Sequence, residues 1–422
     1  MTTSNESDHR LAALQVDQGG RLPIVRLKSA GLHPLIYRKR IADVDRAAKQ
    51  GDLVEVVDEE RQRVGFGLFN PKSELSLRML SRGNELPNQD WWRQRLAEAV
   101  TLRREMLRLD ETTDAYRVIH AEADGLSGLM IDKLGDVLSA ECFSVGMYQR
   151  AEAIVALLAP MLGTKHYLIR GGPATVAQEG FDAVDIASPE LPQRITIQEF
   201  GTRFRVDFQA GHKTGFFCDQ RENRRLLASF CKDKTVLDLC CYTGGFAIQA
   251  KKLGGASDVI GVDLDADPLE LARQNANLNQ VRVKFAQADA FAYIRDMSAA
   301  DRTFDVVVLD PPKLIRSRAE LEEGARKHFD LNRLAMRLVA PGGIMLSCTC
   351  AGLLSHDEFL RMIYASARQA GREIAPATAE RGARHAPRHV QILTKCGAAA
   401  DHPVATNCPE TEYLQAVFMR VV

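Results

Sequence analysis

Hydrophobic and polar positions follow two different periods along this chain, and the change falls near residue 211. Before it, short runs alternate with period two. Leu53-Val54-Glu55-Val56-Val57 is followed by a charged turn at 58–61 and then by Val64-Gly65-Phe66-Gly67-Leu68-Phe69. Two strands joined by a short polar turn predict a small β-barrel. Residues 91–110 carry a helical period and predict a connector helix. Strands are then expected at 116–120, 128–132 and 136–143, a helix near 147–163, and further strands near 166–170 and 194–208, a small central α/β subdomain. Beyond 211, strands at 235–239, 259–262, 281–286, 304–309 and 344–347 alternate with helices at 244–253, 267–278 and 319–339. That alternation predicts a mostly parallel sheet with helical crossovers, and the closing EYLQAVFMRVV predicts an antiparallel last strand. The expected division is a leader at 1–20, a β domain at 21–95, connector and central subdomain at 96–210, and the α/β domain at 211–422.

Composition narrows the function classes. An apolar fraction of 45% with 26% charged residues excludes a chain disordered over most of its length. Fifty-five basic residues balance fifty-five acidic ones, so the whole surface is not a polycation, although a local basic face is allowed. Residues 21–50 supply one: eight cations against two acids, a net of +6, with Tyr37 beside Arg38, Lys39 and Arg40. Phosphates attract cations and bases stack on flat side chains, so this segment reads as a nucleic-acid contact or, more plainly, as a solvated face. The nine cysteines show no framework spacing, and neither CxxC nor HExxH occurs, so no metal is expected. No signal-peptide pattern and no apolar run of about 18–20 residues is present, which predicts a cytoplasmic protein without a membrane partner and with a frayed polar leader.

Chemistry concentrates where the later strands end. VLDLCCYTGGFAIQA runs an apolar strand into Asp238, then through Gly244-Gly245 into a helix. Adjacent glycines at such a turn let the backbone approach a ligand, and Asp263, 25 residues beyond Asp238, suits ribose hydroxyls. The loop is neither GxxxxGK[ST] nor GxGxxG, so an adenosine ligand without phosphates, S-adenosylmethionine, fits best. Asp238 would then lie near the methionine end, or cap the loop's own amides. Asp289 after the third strand would accept from adenine, or cap the helix it precedes. Asp310-Pro311-Pro312-Lys313 projects an acid from the fourth strand, and Ser347-Cys348-Thr349-Cys350 ends the fifth. A thiolate is the soft nucleophile needed to add to C6 of a pyrimidine; the plainer reading of Cys348 is an inert buried thiol.

GHKTGFFCDQRENR at 211–224, VLDLCCYTGGFAIQA at 236–250, DPPK at 310–313 and SCTCAGLL at 347–354 together resemble the class I S-adenosylmethionine-dependent ribosomal RNA methyltransferases of the RlmI-like group. EADGLSGLMIDKLGD at 122–136 and the ending DHPVATNCPETEYLQAVFMRVV resemble it too, and the basic β segment is similar to its N-terminal PUA domain. The resemblance implies a Rossmann-like sheet, S-adenosyl-L-methionine as cofactor and 23S ribosomal RNA of the large subunit as substrate, methylated at cytosine C5. Carried over, it implies a cofactor pocket of Phe217, Asp219, Gln220, Arg221, Asp238, Tyr242, Gly244, Gly245, Asp263 and Asp289. Asp310 would contact the base, Cys348 would attack it, and Arg38, Lys39, Arg40 and Lys313 would hold RNA. Thr349-Cys350 departs from the family pattern; Cys348, directly after Ser347, keeps it. Competing readings are a guanine-N7 methyltransferase, which needs no cysteine, and a non-catalytic ribosome-assembly factor. A homodimer is compatible with the bacterial relatives.

Overall fold

The computed structural model describes residues 11–16, 20–209, 215–371, 373–375 and 384–422. Gly211, His212, Lys213 and Thr214 of the 211–224 motif lie outside the described residues, as do 1–10 and 17–19 of the expected leader. Within that leader, Ala12–Leu14 form a 3-10 turn with Leu14 only 1% exposed, because its side chain joins an apolar core.

The chain divides into two compact units. The first holds the described residues up to Ile197, together with Val206–Cys218 and Ala400–Thr411. The boundary expected at 95 therefore falls inside one unit, and twelve residues near the C-terminus leave the α/β domain to join it. Its N-terminal part is a six-stranded sheet of β1 (Ile24–Leu27), β2 (Leu35–Ile36), β3 (Ile41–Val44), β4 (Leu53–Val57), β5 (Arg63–Phe69) and β6 (Leu77–Arg82). The order is β2-β6-β5-β4-β1-β3, antiparallel except for the β1–β4 pair. Alternating Val25, Leu27, Val54 and Val56 point into its core with Phe69, Leu77 and Met79.

Helix α1 (Gln89–Thr101) starts where Asn88 accepts the Trp91 amide at 2.9 Å. It stops short of residue 110 because Leu102–Met106 widen into a π turn. That turn carries the fully buried Arg103 onto Asp124, at 2.6 and 2.8 Å, and onto the Asp401 carbonyl at 2.8 Å. Next come β7 (Ala115–His120), β8 (Leu129–Leu134), β9 (Val137–Cys142), α2 (Ala151–Leu162), β10 (His166–Gly171) and β11 (Ile186–Ala187), the strands forming one sheet ordered β11-β10-β9-β8-β7. Arg117 on β7 pairs with Asp132 on β8, and its backbone N–H donates to Asp401 at 2.8 Å. The His120 and His402 rings meet edge to face, 5.2 Å apart. The 122–136 and 401–422 motifs thus meet in a buried ionic cluster that ties Ala400–Thr411 to β7 and β8. Nearby, His33, Cys408 and Glu410 approach within 4.8 Å. The His33 Nδ1 accepts the Leu35 amide at 3.1 Å, so its protonated Nε2 faces Glu410, the arrangement of a hydrogen bond rather than a ligand set.

β12 (Arg194–Glu199) and β13 (Thr202–Asp207) form a separate two-stranded sheet. The second unit comprises Gln198–Arg205, Asp219–Ala399 and Glu412–Val422. After α3 (Arg221–Ala228) come β14 (Thr235–Leu239), α4 (Gly245–Lys252), β15 (Asp258–Asp263), α5 (Ala266–Leu278), β16 (Lys284–Gln287), α6 (Ala290–Ala299), β17 (Phe304–Leu309), α7 (Leu321–Arg337), β18 (Val339–Thr349) and α8 (His356–Ala367). A small antiparallel pair, β19 (Glu373–Ala375) and β20 (Arg384–His385), precedes β21 (Val390–Cys396) and β22 (Gln415–Val421). The sheet order is β16-β15-β14-β17-β18-β22-β21, parallel as far as β18 and antiparallel thereafter. Alternate residues feed two cores. Leu237, Leu239, Val307, Leu309 and Met345 face α6, α7 and α8, while Val236, Val306, Val308, Leu346 and Cys348 face α3 and α4.

Burial, with Arg117 and His402 alongside, pushes the His120 imidazole down to about 2. His120 therefore stays neutral in the folded chain while the unfolded chain protonates near 6.5, so the stability it carries is present above that pH and lost as pH falls. Melting temperature should drop progressively below pH 6.5, and His120→Gln should flatten that drop in pH-resolved thermal denaturation; an unchanged slope would contradict the assignment.

Candidate active site

Because β14, β15, β17 and β18 run parallel, their C-terminal ends share one edge of the sheet. Asp238 lies on β14 and is fully buried. One of its oxygens accepts the Ala247 amide at 2.9 Å, in the first turn of α4, so it does cap the loop. Its other oxygen, Oδ1, is buried with no hydrogen-bond partner among the described residues. Asp263 ends β15; its two oxygens accept from the Tyr242 and Asp265 amides at 2.8 and 3.1 Å. It thereby holds the β14–α4 loop, in which Cys240 and Tyr242 take left-handed conformations (φ 62° and 48°). Asp289 is exposed and caps α6 through the Ala292 amide at 3.0 Å.

Packing against protein atoms also constrains the glycine pair. A Cβ at Gly244 (φ 80°) would meet Ile248, Ala272 and Phe285 at 3.1–3.2 Å, and one at Gly245 would meet the Arg224 side chain at 3.1 Å. Protein atoms fill the space beside both, so close packing and a left-handed turn set the requirement. Beneath Gly245, the buried Arg224 grips Glu199 through contacts of 2.6, 2.9 and 3.1 Å, and Gln249 donates to the same carboxylate at 3.1 Å. Asn275 on α5 donates to the Thr243 carbonyl at 3.2 Å. None of these four supports was singled out from sequence. Arg224, inside the 211–224 motif, and Gln249, inside the 236–250 motif, are the available signals; Glu199 and Asn275 lie too far away in the chain for any spacing rule to link them.

Asp310 follows β17 and Cys348 is the penultimate residue of β18. Leu309 is in register with Ser347, so the next pair along the two strands is Asp310 and Cys348. Ser347 and Thr349 turn to the opposite face, onto Asn332 at 2.6 Å and His328 at 3.1 Å on α7. Cys348 is 0% exposed among apolar neighbours, and burial together with the Asp310 charge pushes its thiol well above the usual range. Cys350, just past the strand, is half-buried. Gln220 donates to Asp310 at 3.1 Å. Asp219 is held by the Tyr413 hydroxyl at 2.6 Å, with its Oδ1 buried and without a partner among the described residues. Arg221 is fully buried and reaches Glu222 at 3.3 Å.

Phe217 belongs to the first unit, as do Arg38, Lys39 and Arg40, which form a 3-10 turn. Arg38 donates to the carbonyls of Pro71 and Ser73 at 2.8 and 3.1 Å, and Arg40 to Ser29. Lys39 and Lys313 are exposed, and Tyr37 is 50% exposed.

Residues 155–372 match the family of S-adenosylmethionine-dependent methyltransferases, and residues 28–82 match the PUA-like domain family. A protein of Pseudoalteromonas atlantica named ribosomal RNA large subunit methyltransferase I is 33% identical over 92% of this chain and 95% of its own. Its namesake in Shewanella frigidimarina is 35% identical over 92% and 95%. The chain belongs to the ribosomal RNA large subunit methyltransferase I family. In fold, it is similar to a methyltransferase crystallised with S-adenosylhomocysteine (TM-score 0.73, 19% identity, 94% of this chain and 99% of that one). A SAM-dependent methyltransferase from Streptococcus mutans is equally similar (TM-score 0.73, 19% identity, 94% and 100%).

S-adenosylmethionine, the family's cofactor, carries a cationic sulfonium and an ammonium, and the edge suits both charges. Burial chiefly, with Asp310 and Asp263 adding to it, pushes the Asp238 carboxyl up; burial and then Asp263, Asp310, Asp238 and Asp289 push the Cys240 thiol up. Four carboxyl groups thus converge on one loop, and the partnerless oxygens of Asp238 and Asp219 are acceptors for a cationic donor. Breaking the buried Arg224–Glu199 pair should loosen this loop. Glu199→Ala is expected to lower unfolding free energy by about 3–5 kcal/mol and weaken cofactor binding, measured by urea denaturation and calorimetry.

Proposed function

We propose that this chain methylates C5 of a cytosine in 23S ribosomal RNA of the large subunit, with Cys348 as the nucleophile and Asp310 as the acid beside it. The observation that carries the reading is a thiol and a carboxyl close enough to interact just past the Leu309–Ser347 pair, at the edge where the cofactor loop also ends. The names of the relatives support the substrate, and the PUA-like match supports an RNA contact in the first unit. There, exposed Lys39 and half-exposed Tyr37 offer a cation and a stacking face, while Arg38 and Arg40 also brace their turn. Lys313 offers a second cation just past Asp310. The protein acts in the cytoplasm, where ribosomal RNA is made, and a homodimer is part of the proposal. Sedimentation at micromolar concentration should give twice the 46.7 kDa chain mass, and a monomer would remove that part.

Catalysis on a base within folded RNA requires its extraction from the stack, at a few kcal/mol offset by backbone contacts. The buried Cys348 holds its proton in the free protein, so attack at C6 needs an acceptor, and Asp310 is the neighbouring carboxylate. The thiol proton passes to Asp310 as sulfur bonds to C6, and Asp310 gives it to N3 as the C5–C6 electron pair moves to C5. When bound, the cofactor supplies a sulfonium methyl to that carbon and leaves as the neutral thioether. A base then takes the C5 proton, the C6–sulfur bond breaks with its electron pair on sulfur, and the N3 proton returns through Asp310 to Cys348, restoring the cytosine ring and the thiol.

Cys348→Ala should abolish methyl transfer to ribosomal RNA from cells lacking this enzyme, yet bind cofactor with unchanged affinity; nucleoside mass spectrometry should find 5-methylcytosine in the wild-type product. Full activity of the variant, or methyl on guanine N7, would overturn the reading. Because the thiol is pushed well above its usual value and its own proton is the one delivered to N3, kcat/KM should stay level between pH 7 and 9 and not climb with thiolate formation.

A further inference from the structure

Gln220 lies in the second unit at the start of α3, in the stretch whose resemblance assigns it to the cofactor. Its contacts point in another direction. The Gly397 carbonyl can only accept, so the Asn223 group facing it at 3.0 Å is the Nδ2 amino group. The same amino group faces the Gln220 side chain at 2.7 Å, so the Gln220 atom there is its oxygen. Its Nε2 therefore faces the other way, and there it donates to Asp310 at 3.1 Å. A carboxylate at one end and a backbone carbonyl at the other fix both amides without ambiguity. Asp310 lies one step past the Leu309–Ser347 pair and its charge acts on the Cys348 thiol, so the carboxylate that Gln220 holds is the one beside the sulfur.

We infer that Gln220 is a positioning residue whose amino group holds the Asp310 carboxylate in the orientation that meets the Cys348 thiol. The inference rests on the reading of Cys348 as the nucleophile. Asp310 has to take the thiol proton and pass it on, and a carboxylate held by a fixed donor keeps the orientation that both transfers need. Asn223 and the Gly397 carbonyl act one step further out, holding the donor in its orientation.

The test uses the full-length protein and ribosomal RNA in single-turnover methyl transfer from pH 6 to 9.5. Gln220→Glu keeps the shape and loses the donor at neutral pH. It should be slower by about tenfold or more, the usual consequence of losing a hydrogen bond to a charged group, while calorimetric cofactor affinity stays within about twofold. Its rate relative to wild type should rise as pH falls, because a protonated carboxyl again donates. Asn223→Ala, which frees the amide to turn, should lower the rate several-fold with no change in cofactor affinity; if Gln220→Glu fails to fold, this variant decides. A rate ratio flat with pH, an unchanged Asn223→Ala rate, or a loss that appears wholly as weaker cofactor binding would each overturn the inference. Cys348→Ala run in parallel separates the two failures: if it stays active the nucleophile reading falls, whereas an inactive Cys348→Ala beside wild-type-like Gln220 and Asn223 variants removes only the positioning role.

Discussion

A parallel sheet delivers all its strands' C-terminal ends to one edge, and here those ends carry acids: Asp238, Asp263 and Asp310, with Asp289 opening the helix after β16. Like charges gathered this way repel, and burial of Asp238 makes its ionisation still costlier. Each acid except Asp238 Oδ1 is steadied by a backbone amide or a side-chain donor, and those bonds shape the loops between them. The loop after β14 keeps its two left-handed non-glycine residues because Asp263 holds the Tyr242 amide, Asp238 holds the Ala247 amide and Arg224 presses from below. Cofactor affinity and fold stability are therefore properties of the same contacts.

Much of this edge was legible along the chain. The strands Thr235–Leu239 and Phe304–Leu309 are mostly apolar, with Asp238 near the end of one and Asp310 just past the other, and each matches its expected range because both faces of a parallel sheet are covered. The strand expected at 281–286 begins only at Lys284, since Val281 closes the turn after α5 by donating to the Ala276 carbonyl. What the chain could not disclose depends on partners hundreds of residues apart. Arg103 reads as a helix-surface cation until the Asp401 carbonyl draws it inward, and the return of Ala400–Thr411 to the first unit has no local signature. The glycine pair shows a subtler limit. Its position was readable, but its cause was not, because Ile248, Ala272, Phe285 and Arg224 are the atoms that exclude a Cβ.

The alternation of β18 sorts its closing motif into two jobs. Ser347 and Thr349 fasten the strand end to Asn332 and His328 on α7, while Cys348 faces the side on which α3 and α4 lie. His328 is pushed down to about 4 by burial, so it is neutral at physiological pH and the fastening adds no charge near the thiol. Ser347 and Cys348, adjacent in the chain, thus have separate environments: a polar anchor on one face and a buried thiol on the other.

The same anionic edge that suits a cationic cofactor opposes the thiolate it is meant to work with. Asp310 and Asp219 both push Cys348 toward its protonated form, added to the larger effect of burial. A positive charge seated at that edge acts in the opposite sense on every one of these groups, and in a buried site its effect is screened little by solvent. Coulomb's law therefore links occupation by a sulfonium to easier loss of the Cys348 proton. A thiol kept protonated in the empty protein is also protected from oxidation and alkylation, which require the thiolate. In the proposed mechanism, the burial of Cys348 confines its reactivity to the loaded site.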